Sequence, residues 1–138
     1  MDNQLLMKLL ELILNSNSQT SQAAEQDSNS NIVNQTYINK ICVIRSYDAG
    51  VFIGKVKFIE KDIDKLTVIL DDCRRIWCWN GAASLSQLSI EGCKAEGSKI
   101  TVITQQHLVK NIIEIMIASQ ACISKINSIP FWECANND

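Results

Sequence analysis

Between residues 71 and 92 the chain reads DDCRRIWCWNGAASLSQLSIEG. This stretch holds the residue types best suited to recognising a flat anion. Arg74 and Arg75 adjoin Trp77 and Trp79, two of the three tryptophans. Along an extended segment successive side chains point to opposite faces. If Arg74 to Asn80 is extended, Arg75, Trp77 and Trp79 share one face, and Arg74, Ile76, Cys78 and Asn80 the other. A guanidinium beside two large rings can hold a phosphate and stack a base. Asn80-Gly81 then leads into small residues that read as a helix start, where the backbone N–H groups from Gly81 to Ser84 favour an anion. Two core tryptophans with arginines on the rim would give the same pattern, because buried aromatics are common. The residues alone leave both readings open. In either, alternation lets only one of the two arginines face a ligand.

Catalytic signatures are missing by comparison. There is no P-loop, G-x-G-x-x-G, G-x-S-x-G or H-E-x-x-H run. His107 is the single histidine, so a Ser-His or Cys-His pair would have to use it, and it falls at the border of two predicted strands. Asp71-Asp72 could pair carboxylates for acid–base or Mg²⁺ work, but adjacent residues in a tight turn point apart. Six cysteines, Cys42, Cys73, Cys78, Cys93, Cys122 and Cys134, include no C-x-x-C pair. They read as reduced thiols of a cytosolic protein with no zinc and no cofactor. The expectation is a binding protein, not an enzyme.

The elements that must position these residues are legible in outline. Four extended segments, Tyr37–Tyr47, Val51–Ile59, Leu66–Leu70 and the RRIWCW run, are joined by short turns at Asp48-Ala49-Gly50, at residues 60–65 and at Asp71-Asp72. Such spacing predicts an antiparallel meander. On the second segment the face of Phe52, Val56 and Phe58 reads as core, and Gly54 marks a bulge or a close backbone approach. A short helix over 82–91, with Leu85, Leu88 and Ile90 toward the sheet, ends at Gly92. Strands over 99–104 and 109–118 follow. Ser119 caps a last helix over 120–129, with Ala121, Cys122, Ile123 and Ile126 as its apolar face, and Pro130 stops it. Phe131-Trp132 packs back on the domain. The fold class is therefore α+β, with a mainly antiparallel β core of about six strands.

Ahead of this domain, residues 1–15 read as an apolar helix with a thin polar stripe of Gln4, Lys8, Glu11 and Asn15. It is too short and too interrupted to span a membrane and lacks the plan of a signal peptide. Self-association is the use it suggests, with packing on its own domain as the alternative. Residues 16–35, nearly all Ser, Asn, Gln and small residues, read as a flexible tether. The domain proper is placed at 36–138. A chain of 138 residues with net charge −2 has no general basic field for DNA or RNA polymers.

The SYDAGVFIGKV turn and the RRIWCWNGAASLSQLSIEG run together resemble a family of small phage and prophage proteins associated with the Thoeris anti-defence sponges. The resemblance covers about Ile41 to Trp132 and leaves out the N-terminal helix and tether. It implies a non-enzymatic protein of the host cytoplasm that sequesters a small cyclic nucleotide signal. That signal is a cyclic ADP-ribose isomer made by a TIR enzyme, and some relatives also hold cyclic oligonucleotides. It also implies dimers or higher oligomers with pockets between protomers. The positions matching the family's runs are Arg45, Tyr47 and Phe52 in the first, and Arg74, Arg75, Trp77, Trp79, Asn80 and Gly81 with Ser84 and Gln87 in the second. Cys78 stands where an aromatic is expected, and the segment Lys94 to Lys99 is short, which puts a contact from that loop in doubt. Rival readings are a signal-degrading enzyme, a regulatory protein binding a host protein through exposed tryptophans, and a single-strand nucleic-acid binder.

Overall fold

In the computed structural model the described residues are 3–8 and 32–134. The chain divides into two compact units, Met1–Gln35 and Thr36–Asp138. In the first, residues 3–8 are helical and expose Leu5, Leu6 and Met7. The rest of the expected N-terminal helix and residues 16–31 of the expected tether lie outside the described residues. Residues 32–37 form a helical turn, so the first strand starts later than its β-branched composition predicts.

The second unit is α+β: a six-stranded antiparallel sheet and two helices. The strands are β1 (Ile41–Ser46), β2 (Gly50–Asp62), β3 (Lys65–Asn80), β4 (Lys94–Ile100), β5 (Thr104–Val109) and β6 (Ile112–Ile117), with α1 (Leu85–Glu91) and α2 (Gln120–Ser128). The order is β4-β3-β2-β1-β6, with β5 also on β3. β5 and β4 lie end to end along one edge of β3, β5 on Val68–Cys73 and β4 on Ile76–Asn80.

This order forces the sheet to curl. In a flat sheet β5 and β6 would stand at least four strand spacings apart, about 19 Å. Yet Val109 and Ile112 are separated by only two residues, which span at most about 11 Å. Residues 104–117 therefore form one bent ribbon joining the outer edge of β3 to the outer edge of β1. The Tyr47 N–H donates to the Asn111 carbonyl (2.9 Å) and the Ser46 hydroxyl to the Lys110 carbonyl (2.7 Å), fixing the bend.

Bulges make the curl possible. Asp71 and Arg74 oppose Lys55 and Ile53, so β3 carries one more residue than β2 between those pairs. Asp72, at φ 49°, takes up the excess. Asp71-Asp72 is thus a bulge inside one long strand, not the expected turn between two. Gly54 lies opposite, where an added Cβ would sit 3.1 Å from the Leu70 Cβ and 3.2 Å from the Asp71 carbonyl. A second bulge, at Lys57, shifts the register between Val56 and Phe58. It breaks the period-2 pattern, so Ile59 is buried and Phe58 exposed, against the expectation that Phe58 faces the core.

Both sides of the sheet are apolar. Val43, Val51, Ile53, Ile76 and Ile100 pack under Leu85 and Leu88 of α1 and Cys122 and Ile126 of α2. Alternation puts Cys42, Ile44 and Phe52, also fully buried, on the opposite, inward-curling face. Helix α1 begins at Ser84, whose hydroxyl accepts the Gln87 N–H (3.1 Å), while the Gln87 amide oxygen accepts the Ala83 N–H (2.7 Å). It ends at Gly92, φ 78°, whose N–H donates to Leu88 (2.7 Å). Ile90 lies outside the buried stripe of Leu85, Leu88 and Ser89 and is exposed. In α2, Ala121 is likewise exposed.

Candidate functional site

Strand β3 separates the two arginines, as alternation requires. Arg74 points to the helix side and is 3% exposed. Its Nε donates to the Thr101 carbonyl (2.8 Å) and one terminal nitrogen to the Ile126 carbonyl (2.7 Å). The other reaches the carbonyls of Ile100 (3.2 Å) and Ile129 (3.1 Å), and the guanidinium lies over the Phe131 ring, 4.9 Å from its centre. Burial lowers its pKa from the ordinary arginine value. The residue is a clamp that ties the middle strand to the C-terminal end of α2, where carbonyls favour a cation. Its donors are engaged within the protein.

Arg75 is different. It points to the other face, where its guanidinium lies over the fully buried Phe52 ring at 4.9 Å. Phe52 is its cross-strand partner. Among the described residues the Arg75 side chain has no hydrogen-bond acceptor and no carboxylate partner. The backbone N–H of Arg75 donates to the Thr101 hydroxyl (2.9 Å).

Two shallow clefts meet at this guanidinium. One, about 190 Å³, is lined by Ala49, Gly50, Val51, Arg75, Ile76, Trp77 and Trp79. The other, about 270 Å³, is lined by Arg75, Thr101, Thr104 and His107. Both fall below the roughly 300–1,000 Å³ of pockets that enclose a drug-sized ligand. Trp77 is 63% exposed and stacks on Trp132, ring centres 6.3 Å apart. The Lys99 ammonium sits over Trp132 at 5.3 Å. Trp79 is half-buried against the helix-side core, with its indole N–H donated to the Ala82 carbonyl (3.2 Å).

The remaining expected residues are placed as follows. Tyr47, in the β1–β2 turn beside the first cleft, is 79% exposed. Arg45 is exposed in β1. Phe52 lies beneath Arg75 and His107, too deep to stack a base. The Asn80 side-chain amide donates to the Glu96 carbonyl (3.0 Å) and its backbone N–H donates to the Ser98 hydroxyl (2.9 Å). Gly81, at φ 91°, admits the Lys94 side chain where a Cβ would lie 2.7 Å from its Cγ. Ser84 and Gln87 serve the cap of α1, which takes up the Ala83 N–H, one of the N–H groups expected to meet an anion. Lys94 to Lys99 lies in β4.

His107, Thr101, Thr104 and Trp132 form part of this surface and are not apparent in the sequence motifs. His107 stands on β5 opposite Leu70, and its ring packs on Phe52, centres 5.1 Å apart. Burial lowers its pKa, and the charge of Arg75 lowers it further. Among the described residues no three His, Cys, Asp or Glu side chains gather as a metal site, and no helix is long and apolar enough to cross a membrane. All six thiols are free.

A family profile described as a domain of unknown function matches residues 39–126, more than half of the chain. The chain belongs to the DUF6948 family. The DUF6948 region contains both clefts' Arg75, the Phe52 beneath it and the His107 beside it, while Trp132 lies beyond its end. Neither a curated protein nor a solved structure matches.

Proposed function

We propose that this DUF6948 protein sequesters a small cyclic nucleotide signal in the host cytoplasm, without turnover, in the manner of the Thoeris anti-defence sponges it resembles. The observation that carries the reading is Arg75: a half-buried cation held over an aromatic ring, with no side-chain hydrogen bond among the described residues. A desolvated guanidinium with free donors suits a phosphate. Exposed Trp77 and Tyr47 beside it suit a base. Arg74, Phe52, Ser84 and Gln87 support the site from behind in this reading. The signal is a cyclic ADP-ribose isomer made by a TIR enzyme, with cyclic oligonucleotides as further candidates.

Each cleft is small and open, so a second copy of the chain is needed to enclose the ligand. Sequestration then works by stoichiometry and slow release, for which a nanomolar affinity, about −12 kcal/mol, is sufficient. The test is incubation of the purified protein with a panel of cyclic ADP-ribose isomers and cyclic oligonucleotides, then mass spectrometry of what stays bound. Release of intact ligand on heating supports a sponge, and release of cleaved ligand supports a signal-degrading enzyme.

A second reading has one observation in its favour. Trp77, Phe131 and Trp132 are all substantially exposed and two of them stack, which suits a protein-docking patch. Retention of no nucleotide from the panel would favour it.

A further inference from the structure

We infer that the Arg75–His107 cleft is a ribose-phosphate subsite, joined to the aromatic cleft by the shared guanidinium. This deepens the nucleotide reading above and rests on it. The inference comes from following each proton. The Thr104 hydroxyl donates to the Cys73 carbonyl (3.1 Å), so its contact with the His107 Nδ1 (3.2 Å) requires the proton on Nδ1. Neutral His107 then presents Nε2 as a bare lone pair. The Thr101 hydroxyl accepts from the Arg75 N–H and directs its own proton to the Val102 carbonyl (3.3 Å). Both hydroxyls therefore offer only acceptor capacity to the cleft.

The lining is thus one guanidinium fork surrounded by acceptors. Inorganic phosphate satisfies the fork, but its one or two P–OH protons sit on the same small anion and cannot also reach the acceptors spread around the cleft. A ribose phosphate brings both halves: anionic oxygens for Arg75 and neighbouring hydroxyl protons for Nε2 and the threonines. A volume of about 270 Å³ suits a sugar phosphate better than a whole dinucleotide. Since Arg75 also lines the neighbouring cleft, a nucleotide bridging the two would place its sugar phosphate by His107 and its base by Trp77.

The chain has one histidine, so its imidazole nitrogens can be read by ¹⁵N NMR without assignment. In the free protein Nδ1 should be the protonated nitrogen. Ribose 5-phosphate should move the Nε2 resonance, and inorganic phosphate at the same concentration should leave it in place. His107→Phe keeps a ring on Phe52 and removes the lone pair, and should weaken ribose 5-phosphate by about three- to tenfold, the worth of one neutral hydrogen bond. A free-state Nε2–H tautomer, an Nε2 unmoved by ribose 5-phosphate, or an equal response to inorganic phosphate would overturn the subsite. Cyclic ADP-ribose bound tightly with Nε2 unmoved would overturn the subsite and keep the sponge. Ribose 5-phosphate moving Nε2 while no cyclic nucleotide binds would uphold the subsite and sink the sponge.

Discussion

Two adjacent arginines with the same intrinsic chemistry have opposite fates because a strand turns each side chain through half a circle. Arg74→Ala should take the guanidinium donor from the carbonyls of residues 100, 101, 126 and 129, of which Ile100 and Ile126 keep the N–H groups of Trp132 and Ile129, and lower stability by about 3 kcal/mol, seen as a marked drop in Tm. Arg75→Ala should leave Tm nearly unchanged and weaken nucleotide binding roughly 10- to 150-fold by calorimetry, the loss of one charge-assisted contact. Arg75→Lys should recover only part, since the planar fork is lost. Equal losses of affinity in the two folded variants would place the phosphate elsewhere. The alternation of these residues was legible in the sequence. Which face held the helices was not, because that depends on pairings with residues 100–130.

The thiols test the same scale. Burial pushes Cys42 and Cys122 up to about 11 and Cys73 up to about 12. Unfolded thiols ionise near their ordinary value of about 8.5. A group whose folded pKa is raised favours the native state below its unfolded pKa and loses that contribution as pH climbs through the folded value. Stability should therefore fall progressively from about pH 8.5 to pH 12, and Cys→Ala at position 73 should flatten part of that fall. At pH 8 native protein should release only the exposed Cys134 quickly to a thiol reagent, with Cys78 slower.

At the scale of the elements, the curl of the sheet depends on Gly54 facing the Asp72 bulge. Gly54→Ala should cost about 1–3 kcal/mol through overpacking against Leu70 and the β3 backbone, measured by denaturant unfolding. A neutral Gly54→Ala would mean that the bulge yields easily. The glycine signal was readable, as were the cap at Ser119 and both helices, although α1 starts at Leu85 behind a Ser84 cap and not at residue 82. The joins were not. Asp71-Asp72 carries turn residues, yet β3 runs through it, because β2 supplies partners on both sides of the bulge. Likewise 99–104 reads as one strand, but β3 pairs its ends separately, and Thr101 is left at the gap between β4 and β5. His107 gained its neighbours through that long-range pairing, which no local spacing reports.

At the scale of the whole molecule, the helical residues 3–8 expose Leu5, Leu6 and Met7, and the sequence around them is apolar nearly all round. Removing residues 1–35 should leave a folded domain that assembles with fewer copies by light scattering. An unchanged number of copies would exclude the helix from assembly, and loss of folding would make it part of the core.

The ribbon of residues 104–117 also has a meaning in time. A ribosome delivers β1, β2 and β3 first, yet the outer edge of β1 waits for β6, 75 residues later in the register that pairs Cys42 with Ile117. The Arg74 clamp waits longer still, for Ile126 and Ile129. Until β6 emerges the nascent chain displays an unpaired strand edge, the surface on which other chains can template. Synthesis of this protein is therefore close to all-or-nothing. A ribosome that stops before Ile112 releases a sheet with an open edge, and one that stops before Ile126 releases an unclamped cation in its middle strand.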